Sequence, residues 1–342
     1  MRGNLLKEWL ISPFRLAGAI IVALVVTVVI LLKIPSGDYL ILPDIAHPVA
    51  PLVHVAGSKP AKGGGELYFV DVQEEQASEL DVWFPWLHSH ATLVPASELV
   101  PPGANNAEFQ RLGLLEMKIS KEIAAIVAER RLGYHVVFKF LGAHVDTVDP
   151  QSHARGILRK GDVIVAVNGM PALTLTRLRA IVSPLKPGTV VSIRIRRGAE
   201  TRTVSVKTSD QRNRTVIGVS VSPVTKVVLP VKVAIDSGDI GGPSAGLAFT
   251  LEVLQQLGQD VTHGYRVAAT GEMNLNGKVT AIGGVEQKTY GVREAGAQIF
   301  LVPADGGNAK TAEKFAGPSL RIIPVTSIGQ ALHALAALPK LK

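Results

Sequence analysis

The chain has 342 residues, room for two or three domains, and a formal net charge of +8 with no run of five or six basic residues. Aromatic residues make up only 5%, too few for base-stacking platforms, so no nucleic-acid partner is expected. Cysteine is absent, which excludes thiol catalysis, disulfides and cysteine-based zinc sites.

The first element is apolar. Phe14 to Leu32 carries no acid, and Leu16 to Leu32 carries no charge at all, near the short end of a membrane-spanning helix. A cleaved signal peptide has a shorter apolar stretch and a small-residue cleavage site. Here the stretch ends in Lys33-Ile34-Pro35-Ser36-Gly37 without such a site, which favours an uncleaved anchor. Arg2, Lys7 and Arg15 precede the helix and Lys33 alone follows it closely. The positive side stays in the cytoplasm. The expectation is therefore a single-pass protein of the cell membrane, N-terminus cytoplasmic and the bulk of the chain outside.

After the anchor (1–37) comes a region of short strands and one helix (38–131). Tyr39–Pro43, Pro48–Val55 and Glu66–Val72 read as strands, the first two marked by proline. Gly63-Gly64-Gly65 lacks the Gly-Lys-Ser/Thr ending of a phosphate-binding loop, and no such motif occurs elsewhere. Trp83-Phe84-Pro85-Trp86-Leu87 is the densest aromatic cluster and fits either a small core or a membrane interface. From Ala107 to Arg131, Leu112, Leu115, Ile119, Ile123, Ile126 and Val127 recur at helical steps. The nine histidines show no HExxH spacing, and His88-x-His90 has no carboxylate at a matching offset, so neither a metal site nor a cofactor is expected.

A third segment (132–210) alternates strand and turn signals. Gly161–Gly169 reads as a strand closed by an Asn-Gly turn, Thr174–Val182 as a short helix, and Thr189–Arg196 and Thr201–Lys207 as paired strands. Ala154–Gly169, with its Gly161-Asp162-Val163-Ile164 start and Val167-Asn168-Gly169 end, together with Pro187-Gly188 and Arg196-Arg197-Gly198, resembles a bacterial PDZ domain. Such domains take an extended peptide as an added strand and hold its terminal carboxylate on loop N–H groups. The resemblance assigns that loop to Leu132, Gly133, Tyr134 and His135. The alternative is a PDZ fold that only packs against its neighbour.

The last segment (211–342) carries two glycine turns, each opening a helix. Asp236 to Thr250 runs through Gly238, Gly241 and Gly242 to Pro243, then Ser244, then an apolar helical pattern. A serine there meets free N–H groups and the positive helix end, as a nucleophile with an oxyanion hole requires, although a simple helix cap is the plainer reading. Ala281 to Thr289 is the second turn, with Lys288 about one turn into its helix. A neutral lysine can activate a serine if its pKa falls from about 10.4 toward 7, a differential of roughly 4 kcal/mol supplied by burial, although on its own a solvated helix lysine is the plainer reading. Strands and helices mix in short units, which gives an α+β class.

Together the two turns resemble the proteolytic domain of the Lon family of serine peptidases. Gly242-Pro243-Ser244-Ala245-Gly246 matches the nucleophile motif and Ile282 to Lys288 the lysine motif, with Thr270-Gly271-Glu272 between them. The resemblance implies Ser244 as nucleophile, Lys288 as base, Gly242 and Pro243 as supports, and Thr270 as a hydroxyl that hydrogen-bonds the lysine. Gly241 departs from the acidic residue found in many ATP-driven members. Anchor, PDZ and Lon-type segments in that order resemble membrane-anchored, ATP-independent PDZ–Lon proteases. That resemblance implies protein or peptide substrates and a homo-oligomer, a hexamer by the habit of the fold. The rival expectations are a PDZ scaffold with a silent protease fold and a protease fed by a separate ATPase.

Overall fold

A computed structural model describes residues 13–60, 63–101, 103, 105–172 and 174–341. Arg2 and Lys7, on which the expected orientation rests, lie outside them. The chain forms two compact units: residues 13–134 join 231–341 in the first, and His135–Pro230 make the second.

The first unit is centred on a sheet built from both ends of the chain. The strand Glu66–Phe69 lies parallel to Arg266–Ala269, which pairs in parallel with Ile299–Pro303 and then Arg321–Val325. His47–Pro48 adds an antiparallel edge. Both faces of this sheet are covered, as parallel sheets require. Leu67, Phe69, Val267, Ala269, Ile299 and Leu301 point into one core, with the helices Asn106–Arg131 and Gly246–Gln256. Tyr68, Val70, Ala268, Phe300 and Val302 point into the other, with the helices Val285–Glu294 and Asn308–Phe315. On the helix Gly246–Gln256, Leu247, Phe249, Leu251 and Leu254 are fully buried, each contributing roughly 1.5–3 kcal/mol. A second, antiparallel sheet places Pro35–Pro43 between Val72–Ser78 and Thr92–Pro95.

The region 38–131 is therefore not a domain of its own, because its strand Glu66–Phe69 and its helix Asn106–Arg131 complete the core of the C-terminal segment. That helix begins where its sequence provides a cap: Asn105 accepts from the Glu108 N–H while Glu108 accepts from the Asn105 N–H. Among the described residues the helix Pro13–Lys33 comes first. Its segment Leu16–Lys33 has mean hydropathy 2.8 and is long and apolar enough to cross a membrane by length and composition.

The second unit is an antiparallel sheet ordered Glu200–Lys207, Val190–Arg197, Val163–Val167, Val137–Val148, Val219–Val228, with Met170–Pro171 paired to Val163–Val167. Asn168 (φ 51°) and Gly169 (φ 76°) form the expected tight turn between two of them. Ile164, Val191, Ile193 and Ile195 fill the core beneath the helix Leu175–Val182. Its limits differ from the expected 132–210. The strand Val219–Val228 pairs with Val137–Val148 along its whole length, so the unit continues to Pro230.

Candidate active site

The serine loop follows the strand Val233–Ile235, which pairs with Val53–Val55. It turns at Gly238 (φ 54°) and Gly242 (φ 83°), conformations that side chains resist. The helix Asn106–Arg131 holds it in place. The Gly242 N–H donates to the Gly113 carbonyl at 2.8 Å, and the Ser120 hydroxyl donates to the Pro243 carbonyl at 3.0 Å. A Cβ at position 241 would stand 3.2 Å from the Gly113 carbonyl carbon, so a glycine at 241 permits the close approach of loop and helix. The following helix starts at Gly246, with Ala245 at its cap. Pro243 and Ser244 thus precede the first helical turn and do not begin it, because Gly246 N–H closes a turn onto the Pro243 carbonyl first.

The lysine turn is fixed from two sides. Gly284 is left-handed (φ 66°), and a Cβ there would sit 2.9 Å from a Val72 methyl. Asn308 clasps Ile282 twice, accepting from its N–H at 2.9 Å and donating to its carbonyl at 3.0 Å. The helix Val285–Glu294 then carries Lys288 inward, where the residue is 3% exposed. Its Nζ lies 2.7 Å from the Ser244 Oγ. Burial lowers the lysine pKa from 10.5 to about 8, against the opposing pull of the Asp71 and Glu74 carboxylates. At neutral pH roughly a tenth of such an amine is uncharged, enough to serve as a base.

Thr270 is fully buried at the end of the strand Arg266–Ala269, and its hydroxyl donates to the Ser244 carbonyl at 3.2 Å. The expected bond to the lysine is replaced by one to the serine backbone, since the Gly271 N–H reaches the same carbonyl at 2.8 Å and draws the two segments together.

Ser244 and Lys288 open onto a cleft of about 1100 Å³ walled by Asp71, Glu74, Phe109, Leu112, Glu116 and Ile282, among others. Asp71 is a site residue that local sequence reading misses. Burial and the nearby Asp44 raise its pKa, and its Oδ1 is enclosed without a hydrogen-bond partner. Among the described residues, one group, Asp44, His47 and Asp71, brings three potential metal-ligand atoms within 4.8 Å of one another. The histidine pair is occupied otherwise: His88 Nε2 lies 2.9 Å from Asp81, and His90 stacks on Tyr290.

The loop expected to hold a peptide carboxylate is used differently. The N–H groups of Leu132, Gly133 and Tyr134 donate to carbonyls of Ala128, Arg130 and Glu129 and so finish the helix Asn106–Arg131. Only His135 of the four belongs to the second unit. One edge of Val137–Val148 is also filled by the chain's own Val219–Val228, which leaves no room on that side for an added strand.

Comparison with known proteins agrees with the division of labour. Residues 213–337 match the model of the Lon protease (S16) C-terminal proteolytic domain, and residues 125–208 match the PDZ domain model. The chain is similar to the Lon protease of Neorickettsia sennetsu, 37% identical over 94 residues, 27% of this chain and 11% of that one. It is likewise similar to that of Chloroflexus aggregans, 37% identical over 102 residues, 28% of this chain and 12% of that one. The stretch shared with Mesomycoplasma hyopneumoniae Lon protease is 44% identical over 63 residues, covering 18% and 7% of the two chains. The match thus spans about a tenth of these relatives' length. Among solved structures, the PDZ domain of an SdrC-like protein from Listeria monocytogenes matches at 21% identity with a TM-score of 0.23, over 24% of this chain and 88% of that one. The chain therefore combines a PDZ domain with a proteolytic domain of the Lon (S16) serine-peptidase type.

Proposed function

We propose that this protein is a membrane-anchored serine endopeptidase in which Ser244 is the nucleophile and Lys288 the base. The observation that carries the reading is the 2.7 Å approach of the buried Lys288 Nζ to Ser244 Oγ. The neutral amine takes the hydroxyl proton as Oγ attacks a peptide carbonyl carbon. The resulting ammonium then returns that proton to the leaving amine, and water resolves the acyl-enzyme by the same relay run through Lys288. Thr270 acts at one remove, by orienting the Ser244 backbone.

The substrates are unfolded or flexible protein segments, cut without ATP, since no phosphate-binding motif occurs in the sequence. The apolar helix Leu16–Lys33 holds the enzyme in the cell membrane, with its catalytic part outside the cytoplasm. Assembly into a homo-oligomer, six copies by resemblance, belongs to the same proposal and is read from the mass of the detergent-solubilised chain. The test of the activity is digestion of an unfolded casein-like protein without nucleotide. Native chain should cut it, and Ser244→Ala should not. Equal digestion of a tightly folded substrate would overturn the motor-free reading.

A further inference from the structure

The aromatic cluster left open by the sequence is not a core. Trp83, Trp86 and Leu87 are 66%, 72% and 56% exposed, and Phe84 and Pro85 are exposed with them. Five consecutive residues, four of them large and apolar, thus face outward on a folded protein. Such a patch marks a contact surface.

Its position identifies the contact. The short helix Glu79–Trp83 begins beside the end of the apolar helix Pro13–Lys33: the Glu79 N–H donates to the Ile34 carbonyl at 3.0 Å, and Ser78 pairs with Pro35. The Ile34 N–H in turn continues the apolar helix by donating to Ile30 at 3.1 Å. The cluster is therefore tied to the residue that directly follows a helix long enough to cross a bilayer. If that helix spans, its end lies at the membrane surface, and so does everything hydrogen-bonded to it. Tryptophan, with an apolar ring and a polar N–H, favours that zone.

The cluster is also held stiffly, which keeps the ordering cost of insertion small. Ser78 and Asp81 form a reciprocal cap on Glu79–Trp83. Asp81 also holds His88 Nε2 at 2.9 Å, so both ends of the exposed stretch are pinned to one carboxylate. Phe84 and Trp86 meet edge to face, ring centres 5.1 Å apart.

We infer that Trp83, Phe84, Trp86 and Leu87 insert into the headgroup–acyl boundary of the bilayer as a second membrane contact beside the apolar helix. The inference rests on the anchor reading above. It has a consequence for the active site. The strand Val72–Ser78 runs from the catalytic cleft, where Val72, Glu74 and Gln76 form part of the wall, to the capped end at Ser78. At about 3.3 Å per residue, the cleft wall at Glu74 stands roughly 13 Å along the strand from Ser78, the cap of the short helix that leads into the aromatic cluster. Two membrane contacts fix that height where a single helix would let the unit swing.

The test uses the full chain carrying Trp9→Phe, so that Trp83 and Trp86 are the remaining tryptophans of three. The protein is reconstituted into phosphatidylcholine–phosphatidylglycerol vesicles with acyl chains brominated near the headgroup, and compared with unbrominated vesicles after flotation. Insertion predicts that the chain floats and that brominated lipid quenches tryptophan emission by about half or more. A chain that floats but is not quenched keeps its anchor and refutes the aromatic contact, and chemical crosslinking between copies would then assign the patch to self-association. A chain that does not float refutes the anchor, and the aromatic contact falls with it.

Discussion

Replacing Lys288 by methionine should abolish cleavage and yet stabilise the protein. The amine is buried at 3% exposure, and burial brings its pKa from 10.5 to about 8. That depression corresponds to on the order of 3 kcal/mol of folding stability lost to the charged form. The sign follows from proton linkage. Between about 8 and 10.5 the unfolded chain binds the lysine proton and the folded chain does not, so the penalty is complete below about 8 and vanishes above 10.5. Methionine fills the same channel without charge. It forfeits the hydrogen bond to Ser244 Oγ, a loss of about 1 kcal/mol. The net expectation is a gain of about 2 kcal/mol at pH 7 that turns into a small loss near pH 10.5. The assay is urea unfolding of native and variant chains in detergent at both pH values. A variant no more stable than the native chain at pH 7, or one with the same gain at both pH values, would refute a lysine that is buried with a depressed pKa.

Other consequences concern the same site. Because the base must be neutral, kcat/KM should rise with pH and level off above about 8, and Asp71→Asn should move that rise to lower pH, since the Asp71 carboxylate favours the charged lysine; a rise unmoved by the substitution would detach Asp71 from the dyad. Thr270→Val should lower kcat by about fivefold with KM little changed, the loss of one hydrogen bond of about 1 kcal/mol that orients the nucleophile. Gly241→Ala should destabilise by about 1–3 kcal/mol through its contact with the Gly113 backbone. Gly113→Ala, whose added carbon would meet Gly241 at an ordinary 3.6 Å within a helix, should be neutral or stabilising by up to about 1 kcal/mol; urea midpoints that reverse this order would contradict the packing described.

The sequence was most legible where chemistry is local. Glycines at 238, 242 and 284 announced turns because few other residues take their conformations, and Asn168-Gly169 announced a hairpin for the same reason. Helical periodicity located Asn106–Arg131 to within a residue. What remained hidden depends on distant partners. A strand pattern at Glu66–Phe69 does not say that it lies beside Arg266–Ala269, so residues 38–131 read as a region of their own. Nor does a serine–lysine spacing disclose that Gly113, Asn308 and Asp71 support the two turns from other parts of the fold. For Thr270 the residue was legible and its partner was not, because only the packing of the fold brings the Ser244 carbonyl within reach of its hydroxyl. At the PDZ unit the motif identified the fold, while the use of the Leu132–Tyr134 N–H groups as a helix cap depended on how the preceding helix ends.

The central claim is that Ser244 and Lys288 hydrolyse peptide bonds together. It is tested most directly by incubating the full chain with an unfolded casein-like substrate, without nucleotide, beside Ser244→Ala and Lys288→Ala. The account predicts fragments from the native chain and none from either variant, with all three equally folded by circular dichroism. Fragments produced at equal rates by all three chains, or by none of them, would contradict it.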